Sequence, residues 1–124
     1  MLKTEAKITK DFSFQEFACK CGKCSYADGY QVNRNLVNRL QEIRDHIGEP
    51  LRVTSGLRCF EHNKNVGGSE TSFHLVGRAA DIVCTDSVRR YRIVKKALEV
   101  GLTVGINKTF IHLDNRGHSK LFLY

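Results

Sequence analysis

The stretch from Ser72 to Asp81 places the tightest constraint on how this chain folds. It holds His74 and Asp81 with Gly77 between them. Glycine allows the backbone to turn back sharply, so the imidazole and the carboxylate can approach the same point. Zinc accepts both ligand types, and a catalytic zinc usually takes three protein ligands and one water. The pattern therefore predicts a metal-binding turn that runs into a strand.

A third ligand must come from another part of the chain, and His112 is the best candidate. Side chains alternate between the faces of a strand, so His112 shares a face with Asp114. The apolar residues on the other face, Ile111 and Leu113, suit the core. We expect the His112 side chain to point into a cleft beside Asp81.

The length of 124 residues and an apolar fraction of 41% predict one ordinary globular domain. Residues 1–10 are expected to form a flexible N-terminal arm, with the folded domain at 11–124. Hydrophobic periodicity and turn residues predict a small α+β domain with a mainly antiparallel sheet flanked by helices, and Ser87 is expected to cap the third helix. The predicted helices are 33–47, 60–66 and 87–100, and the predicted strands are 51–54, 79–83, 104–106, 109–114 and 119–124.

The net charge of +7 favours anionic partners, such as nucleic acid, membrane headgroups or acidic cell-wall polymers, without choosing between them. No apolar run is long enough for a membrane span. The first residues lack the apolar core of a signal peptide, so the expectation is a chain made in the cytoplasm that does not export itself by the usual route. We expect a monomer.

The five cysteines fall into a set of four and one isolated residue. Cys84 follows apolar residues and is interpreted as a buried thiol. The set could form a structural zinc site, one or two disulfides, or neither. No histidine is tied to a cysteine by the pattern, so a nucleophilic cysteine is not indicated. The members of the set are Cys19, Cys21, Cys24 and Cys59.

The stretch Ser72-x-His74-x-x-Gly77-x-Ala79-x-Asp81 resembles the SxHxxGxAxD signature of zinc D-Ala-D-Ala peptidases. These form the M15 peptidase family (here of the subfamily A type), which is related to the hedgehog signalling domain. Shorter segments support the resemblance, which spans residues 11–115. They are 55–58, similar to the SGxR element; 63–68, similar to N-x-x-V-G-G; 110–114, similar to the late HxD element; and the start at 12–17 with the Cys-rich loop, similar to phage and bacterial members.

The resemblance implies a zinc ion held by His74, Asp81 and His112, with water in the fourth position. It implies hydrolysis of amide bonds in peptidoglycan stem peptides or cross-links, by a D-Ala-D-Ala carboxypeptidase or a murein endopeptidase. Arg58 would stabilise the developing oxyanion or clamp a substrate carboxylate. Ser72 would bind substrate or orient a ligand.

One position departs from the family pattern, because Thr109 stands where members commonly carry the general base. Asp114 is the first candidate to replace it, since it shares the face of His112. An alternative role for Asp114 is to hydrogen-bond a ligand histidine. Glu70 is a weaker candidate for the base.

Two further functions compete with the peptidase. The missing carboxylate favours a non-catalytic, zinc-stabilised cell-wall-binding module, for example a phage structural component. The net charge and the cysteine set also suggest a third hypothesis, a nucleic-acid-binding domain. We disfavour it because the basic and aromatic residues form no recognised module. Delivery by a phage would bring such a chain to the wall.

Overall fold

A five-stranded mixed sheet organises the fold in a computed structural model that describes residues 6–124. The strand order is β1-β2-β4-β3-β5, and every neighbouring pair is antiparallel except the parallel pair β3–β5. The α+β class and the mainly antiparallel sheet are therefore confirmed. The strands are β1 (Val53–Ser55), β2 (Ala79–Val83), β3 (Thr103–Ile106), β4 (Phe110–Asp114) and β5 (Lys120–Leu123).

Among the residues that the structure describes, three α-helices accompany the sheet: α1 (Arg34–Ile47), α2 (Phe60–Asn65) and α3 (Ser87–Glu99). The side chain of Asn33 accepts the backbone N–H of Leu36 and so caps α1. The prediction of Ser87 as the cap of α3 is wrong by one residue. Asp86 caps that helix, because its carboxylate accepts the backbone N–H of Arg89 at 2.7 Å. Within residues 6–124, no helix is both long and apolar enough to cross a membrane.

The hydrophobic core lies on one face of the sheet, where α1 and α3 pack against each other. The residues of β2 and β4 that face this core are apolar and fully buried, as Ile82 and Ile111 show. Alternation along a strand then places Asp81 and His112 on the opposite face. The sheet thus separates the apolar core from the side chains with metal-binding potential.

The segment before α1 packs on the core through Phe12 and Phe17, which are both buried. A 3₁₀ turn spans Phe14–Phe17, and the Glu16 carboxylate accepts the backbone N–H of Ser13 at 2.7 Å. Residues 6–8 of the predicted arm hydrogen-bond with residues 12–14 through the backbone. Residues 1–5 of that arm lie outside the described residues, and the boundary at residue 10 stays a prediction.

Candidate metal centre

Three side chains converge on the face of the sheet opposite the helices. Asp81 on β2 and His112 on β4 are direct partners in the antiparallel pair. His74 arrives from a 3₁₀ turn at Phe73–Val76, and Gly77, with φ at 73°, turns the chain into β2. The candidate ligand atoms all lie within 4.8 Å of one another. The structure therefore brings together the three residues that the sequence singled out.

The backbone sets the orientation of His74. Its Nδ1 lies 2.6 Å from the carbonyl oxygen of Gly56, and a carbonyl only accepts, so Nδ1 carries the proton. The other ring nitrogen, Nε2, then faces Asp81 Oδ1 at 3.2 Å. Ser72 accepts the backbone N–H of His74 through its hydroxyl at 3.2 Å, which fixes the start of the turn. His74 is thus held as a ligand histidine is normally held, with the second nitrogen bonded to the protein.

Asp114 sets the orientation of His112. Its Oδ2 lies 2.7 Å from His112 Nε2, which leaves His112 Nδ1 facing Asp81 Oδ1 at 3.1 Å. Asp114 is fully buried, and both of its oxygens also accept from the Arg116 guanidinium, at 2.9 and 2.7 Å. Asp114 therefore lies behind the imidazole rather than beside the converging atoms. Of its two predicted roles, this geometry favours the one that orients His112.

The charges of the site are fixed by these contacts. Burial opposes ionisation of Asp81, but hydrogen bonds from His112 and His74 outweigh it and hold the pKa of its carboxyl below the ordinary value. Burial likewise opposes ionisation of Asp114, but hydrogen bonds from Arg116 and His112 lower its pKa to about 2. For His112, burial acts to lower the pKa, but bonds to Asp114 and Asp81 outweigh it and raise the pKa. Both carboxylates are therefore ionised near neutral pH.

The three ligand atoms fit a zinc ion. Zinc bonds histidine nitrogen and carboxylate oxygen at about 2.0–2.2 Å, so tetrahedral ligands lie roughly 3.4 Å apart. The distances from Asp81 Oδ1 to His74 Nε2 and to His112 Nδ1 are 3.2 and 3.1 Å. Two neutral imidazoles and one carboxylate leave a tetrahedral ion one further position, which is the pattern of catalytic sites.

Arg58 borders the centre and holds one of its ligands. Its Nη2 donates to Asp81 Oδ2 at 3.2 Å, so one carboxylate oxygen faces the histidines and the other faces the guanidinium. Ser55 and Asn63 accept from its other nitrogens at 3.0 and 3.1 Å. The side chain is 13% exposed. Arg58 is therefore built into the site and is not a free surface arginine.

The three converging residues border a cavity of about 370 Å³. Its lining includes an aromatic wall of Phe110, Phe122 and Tyr124, and it also includes small and hydroxyl-bearing residues, namely Gly67, Gly68, Ser69, Thr71 and Ser72. Arg58 and Arg116 add positive charge to the lining. Neither Thr109 nor Glu70 belongs to this lining, and Thr109 instead bonds to Asn107. Within the described part of the chain, Asp81 is the one carboxylate on the cavity wall.

Comparison with known protein families gives a match. The family model described as Peptidase M15 matches residues 10–114, and these include all three converging residues. The chain belongs to the M15 peptidase family. A search of curated proteins finds no match. M15 peptidases are zinc-dependent, which agrees with the donor set of the site.

Sequence reasoning missed the aromatic wall of this M15-family site. Phe122 and Tyr124 come from the end of the chain, because β5 pairs in parallel with β3. Their rings lie 5.7 and 6.4 Å from the ring of His112. Burial raises the pKa of Tyr124 to about 12, so its hydroxyl keeps its proton. In a strand over residues 120–124, side chains two positions apart share a face, and this was the signal that could have grouped Phe122 with Tyr124. That pattern does not reveal that the strand pairs in parallel with β3.

Gly105 allows the ring of Phe122 to lie beside the metal centre. It pairs with His112 on one side and with Phe122 on the other. A Cβ at this position would lie 2.4 Å from the Phe122 ring, well inside contact distance. The ring therefore covers the glycine, and a larger residue would displace it.

The four cysteines of the predicted set form a second cluster in this M15-family protein. Their sulfur atoms all lie within 4.8 Å of one another, and each is free of any disulfide. Cys84 is buried and is not part of the cluster, as expected. The cluster members are Cys19, Cys21, Cys24 and Cys59.

Proposed function

We propose that this M15-family protein is a zinc-dependent peptidase that hydrolyses amide bonds in the peptides of peptidoglycan. The observation that carries the proposal is the convergence of His74, Asp81 and His112 at the wall of a cavity with space for a ligand. Zinc bound by these three side chains would polarise the scissile carbonyl and lower the pKa of a water molecule. Family membership supports the reaction class.

The chain's own residues hold this site in one arrangement. Gly56 and Asp114 fix the tautomers of the two histidines, so that one nitrogen of each remains available as a ligand. Arg58 fixes the rotation of the Asp81 carboxylate by binding its second oxygen. A site whose groups are held before the substrate arrives loses little free energy in reorganisation.

The cavity lining supports an anionic peptide as substrate. Arg58 and Arg116 both border the cavity, and guanidinium groups bind carboxylates through paired donors. We assign Arg58 to the substrate carboxylate or to the developing oxyanion, and Ser72 to a peptide group of the substrate. A free carboxylate next to the cleaved bond describes a carboxypeptidase substrate, and an internal cross-link describes an endopeptidase substrate.

We further propose that the protein acts at the cell wall, and that a phage delivers it there. The net charge of +7 favours association with anionic wall polymers. This part of the proposal predicts that sedimentation with purified walls decreases as the salt concentration rises.

The experiment is digestion of purified peptidoglycan by zinc-loaded protein, with released amino acids and cleaved cross-links identified by mass spectrometry. We expect cleavage that a chelator abolishes and that His74→Ala lacks. His118→Ala is the matched control, because His118 is exposed and is not a member of either metal-binding group. Zinc-loaded protein that cleaves neither stem peptides nor cross-links would contradict the proposal.

A second candidate is a zinc-stabilised module that binds the wall without cleaving it. The observation in its favour is that Asp81, a candidate ligand, is the one carboxylate on the cavity wall among residues 6–124. A general base must reach the water that attacks. This candidate predicts wall binding and full zinc content with no product in the digestion described above.

A further inference from the structure

We propose that Cys19, Cys21, Cys24 and Cys59 bind a second zinc ion in a closed, structural site. The cluster shares no residue with the group of His74, Asp81 and His112, which we call the His–Asp centre. The inference is therefore independent of the peptidase proposal. It concerns how the segment that carries Arg58 is held.

The spacing of the sulfur atoms fits a tetrahedral ion. Zinc bonds a thiolate at about 2.3 Å, so the sulfurs at the corners of a tetrahedron lie about 3.8 Å apart. The Sγ atom of Cys21 lies 3.5 Å from Cys19 Sγ and 3.9 Å from Cys59 Sγ. A disulfide would join one pair at about 2.05 Å and would give the other two sulfurs no reason to gather there.

Backbone donors point at three of the four sulfurs. An N–H group that donates to sulfur stabilises the thiolate form, which is the form that binds metal. Such donors around the ligands are the usual surroundings of a metal site. The bonds run from Tyr26 to Cys24 at 3.3 Å, from His62 to Cys59 at 3.4 Å and from Cys59 to Cys19 at 3.5 Å.

The loop that supplies three of the ligands has the turn that such a site needs. Cys21 and Cys24 have the Cys-x-x-Cys spacing that zinc sites commonly use. Gly22 lies between them with φ at 73°, a conformation that glycine adopts without strain. The N–H of Gly22 donates to the carbonyl of Cys19 at 3.1 Å, which closes the loop on itself.

The charge of the loop suits a zinc–thiolate site. Four thiolates and one zinc ion carry a formal charge of about −2. Lys20 and Lys23 lie between the cysteines in the sequence, and Lys23 also borders a cavity beside the cluster. The same loop therefore supplies positive charge that can compensate the negative charge of the zinc–thiolate site.

The fourth ligand connects the loop to the His–Asp centre. Cys59 caps the start of α2 and directly follows Arg58. The backbone N–H of Arg58 donates to the carbonyl of His74 at 3.0 Å. A metal at the cluster would thus fix the chain immediately after Arg58, and the ion acts through position rather than through contact with substrate.

The test is the zinc content of the full chain, purified under reducing conditions and measured by elemental mass spectrometry. We expect two zinc ions per chain in the wild type and one in Cys21→Ser, whose side chain is only partly buried. Cys84→Ser is the matched control, because Cys84 is a thiol outside the cluster, and we expect it to keep both ions. His74→Ala should retain the cluster's ion.

Each result separates this inference from the peptidase proposal. The cysteine site would be overturned if His74→Ala contained no zinc at all. It would also be overturned if Cys21→Ser bound as many zinc ions per chain as the wild type. If the wild type binds one zinc ion, which is lost in Cys21→Ser and retained in His74→Ala, the cysteine site is supported and the proposed catalytic zinc is contradicted. A metal-free wild type whose mass shows the loss of two hydrogens per cysteine pair would identify disulfides and overturn the proposal.

A spectroscopic measurement keeps the inference testable if Cys21→Ser fails to fold. Cobalt(II) replaces zinc in tetrahedral sites, and thiolate ligands give it an intense near-ultraviolet charge-transfer absorption that nitrogen and oxygen ligands do not give. We expect that absorption when cobalt(II) is added to metal-free His74→Ala. Its absence in folded protein would overturn the assignment.

Discussion

The two candidate metal-binding groups found among residues 6–124 differ in the features that separate reactive sites from structural ones. The His–Asp centre combines two directly paired strand residues with a histidine from a 3₁₀ turn, offers three ligands and borders a cavity. The cysteine cluster lies on a loop and on the first turn of a short helix, and offers four ligands. A three-ligand site keeps a position for substrate or water, whereas a four-ligand site is complete. Under the two proposals, the first group therefore carries out the chemistry and the second supports the fold.

The substitution His74→Ala breaks this comparison most severely, because it removes a ligand from the reactive centre. We expect hydrolysis to fall by at least about a thousandfold, since the metal contributes several kcal/mol to the barrier and each 1.36 kcal/mol is about tenfold in rate. Hydrolysis of a peptidoglycan peptide, followed by chromatography, measures the loss. Cys21→Ser should instead lower the melting temperature and reduce hydrolysis per folded molecule far less than His74→Ala does. Equal losses of hydrolysis in the two variants would abolish the distinction.

The substitution Asp114→Asn tests whether the His–Asp centre depends on the residue behind it. We expect a roughly 10- to 100-fold weaker zinc affinity, which is the usual cost of removing a partner that orients a ligand histidine. A competition titration with a chromophoric chelator measures the affinity. Excess zinc should restore hydrolysis. If hydrolysis stays absent at saturating zinc, Asp114 acts in the reaction itself and its assignment as a positioning residue is wrong.

The pH dependence of stability should have opposite signs with and without zinc. The pKa of His112 is raised above its ordinary value of 6.5, so in metal-free protein the charged imidazole stabilises the fold. That contribution is fully present below pH 6.5 and is lost as the pH rises through the raised pKa. Zinc binds the neutral imidazole, so the zinc-bound protein should gain stability over the same rise.

Thermal unfolding at a series of pH values measures both trends. The pH must stay above about 5, because below it the carboxylates of Asp81 and Asp114, whose pKa values are lowered, begin to lose their own stabilising contribution. Parallel curves with and without zinc would show that His112 does not bind the ion. His74→Ala provides the comparison protein that lacks a complete centre.

Among the substitutions at the His–Asp centre, Arg58→Lys should have the smallest effect. Lysine keeps the charge but cannot contact Asp81, Asn63 and Ser55 at once, as the guanidinium does. We expect about a tenfold loss of kcat/KM, corresponding to the roughly 1.4 kcal/mol of one imperfect charged contact, with both zinc ions retained. Arg52→Lys is the control, because Arg52 is exposed. A loss of zinc in Arg58→Lys would show that Arg58 mainly supports the ligand Asp81.

The convergence of the three candidate ligands could be predicted because their signals are local and periodic. Gly77 between His74 and Asp81 indicated a turn, and the apolar residues around His112 indicated which strand face it occupies. The helices followed from apolar spacing and capping residues in the same way, with an error of one residue at Asp86. Family resemblance added the substrate class, which the residues alone do not specify.

The surroundings of the centre could not be predicted, because they depend on contacts distant in the sequence. The Gly56 carbonyl meets His74 across 18 positions, and the Tyr124 ring reaches the cavity through a parallel pairing of β5 with β3. The role of Asp114 stayed open for the same reason. A strand face does not reveal whether a carboxylate lies in front of an imidazole or behind it.

Gly105 lies beneath the Phe122 ring, so it influences the shape of the cavity although it is not one of the lining residues. A single methyl group at residue 105 would displace the ring, because the ring atoms already occupy that space. Residues 105 and 122 should therefore vary together during evolution. A relative with alanine at the first position would need a smaller side chain at the second, and it would admit bulkier substrates along that wall.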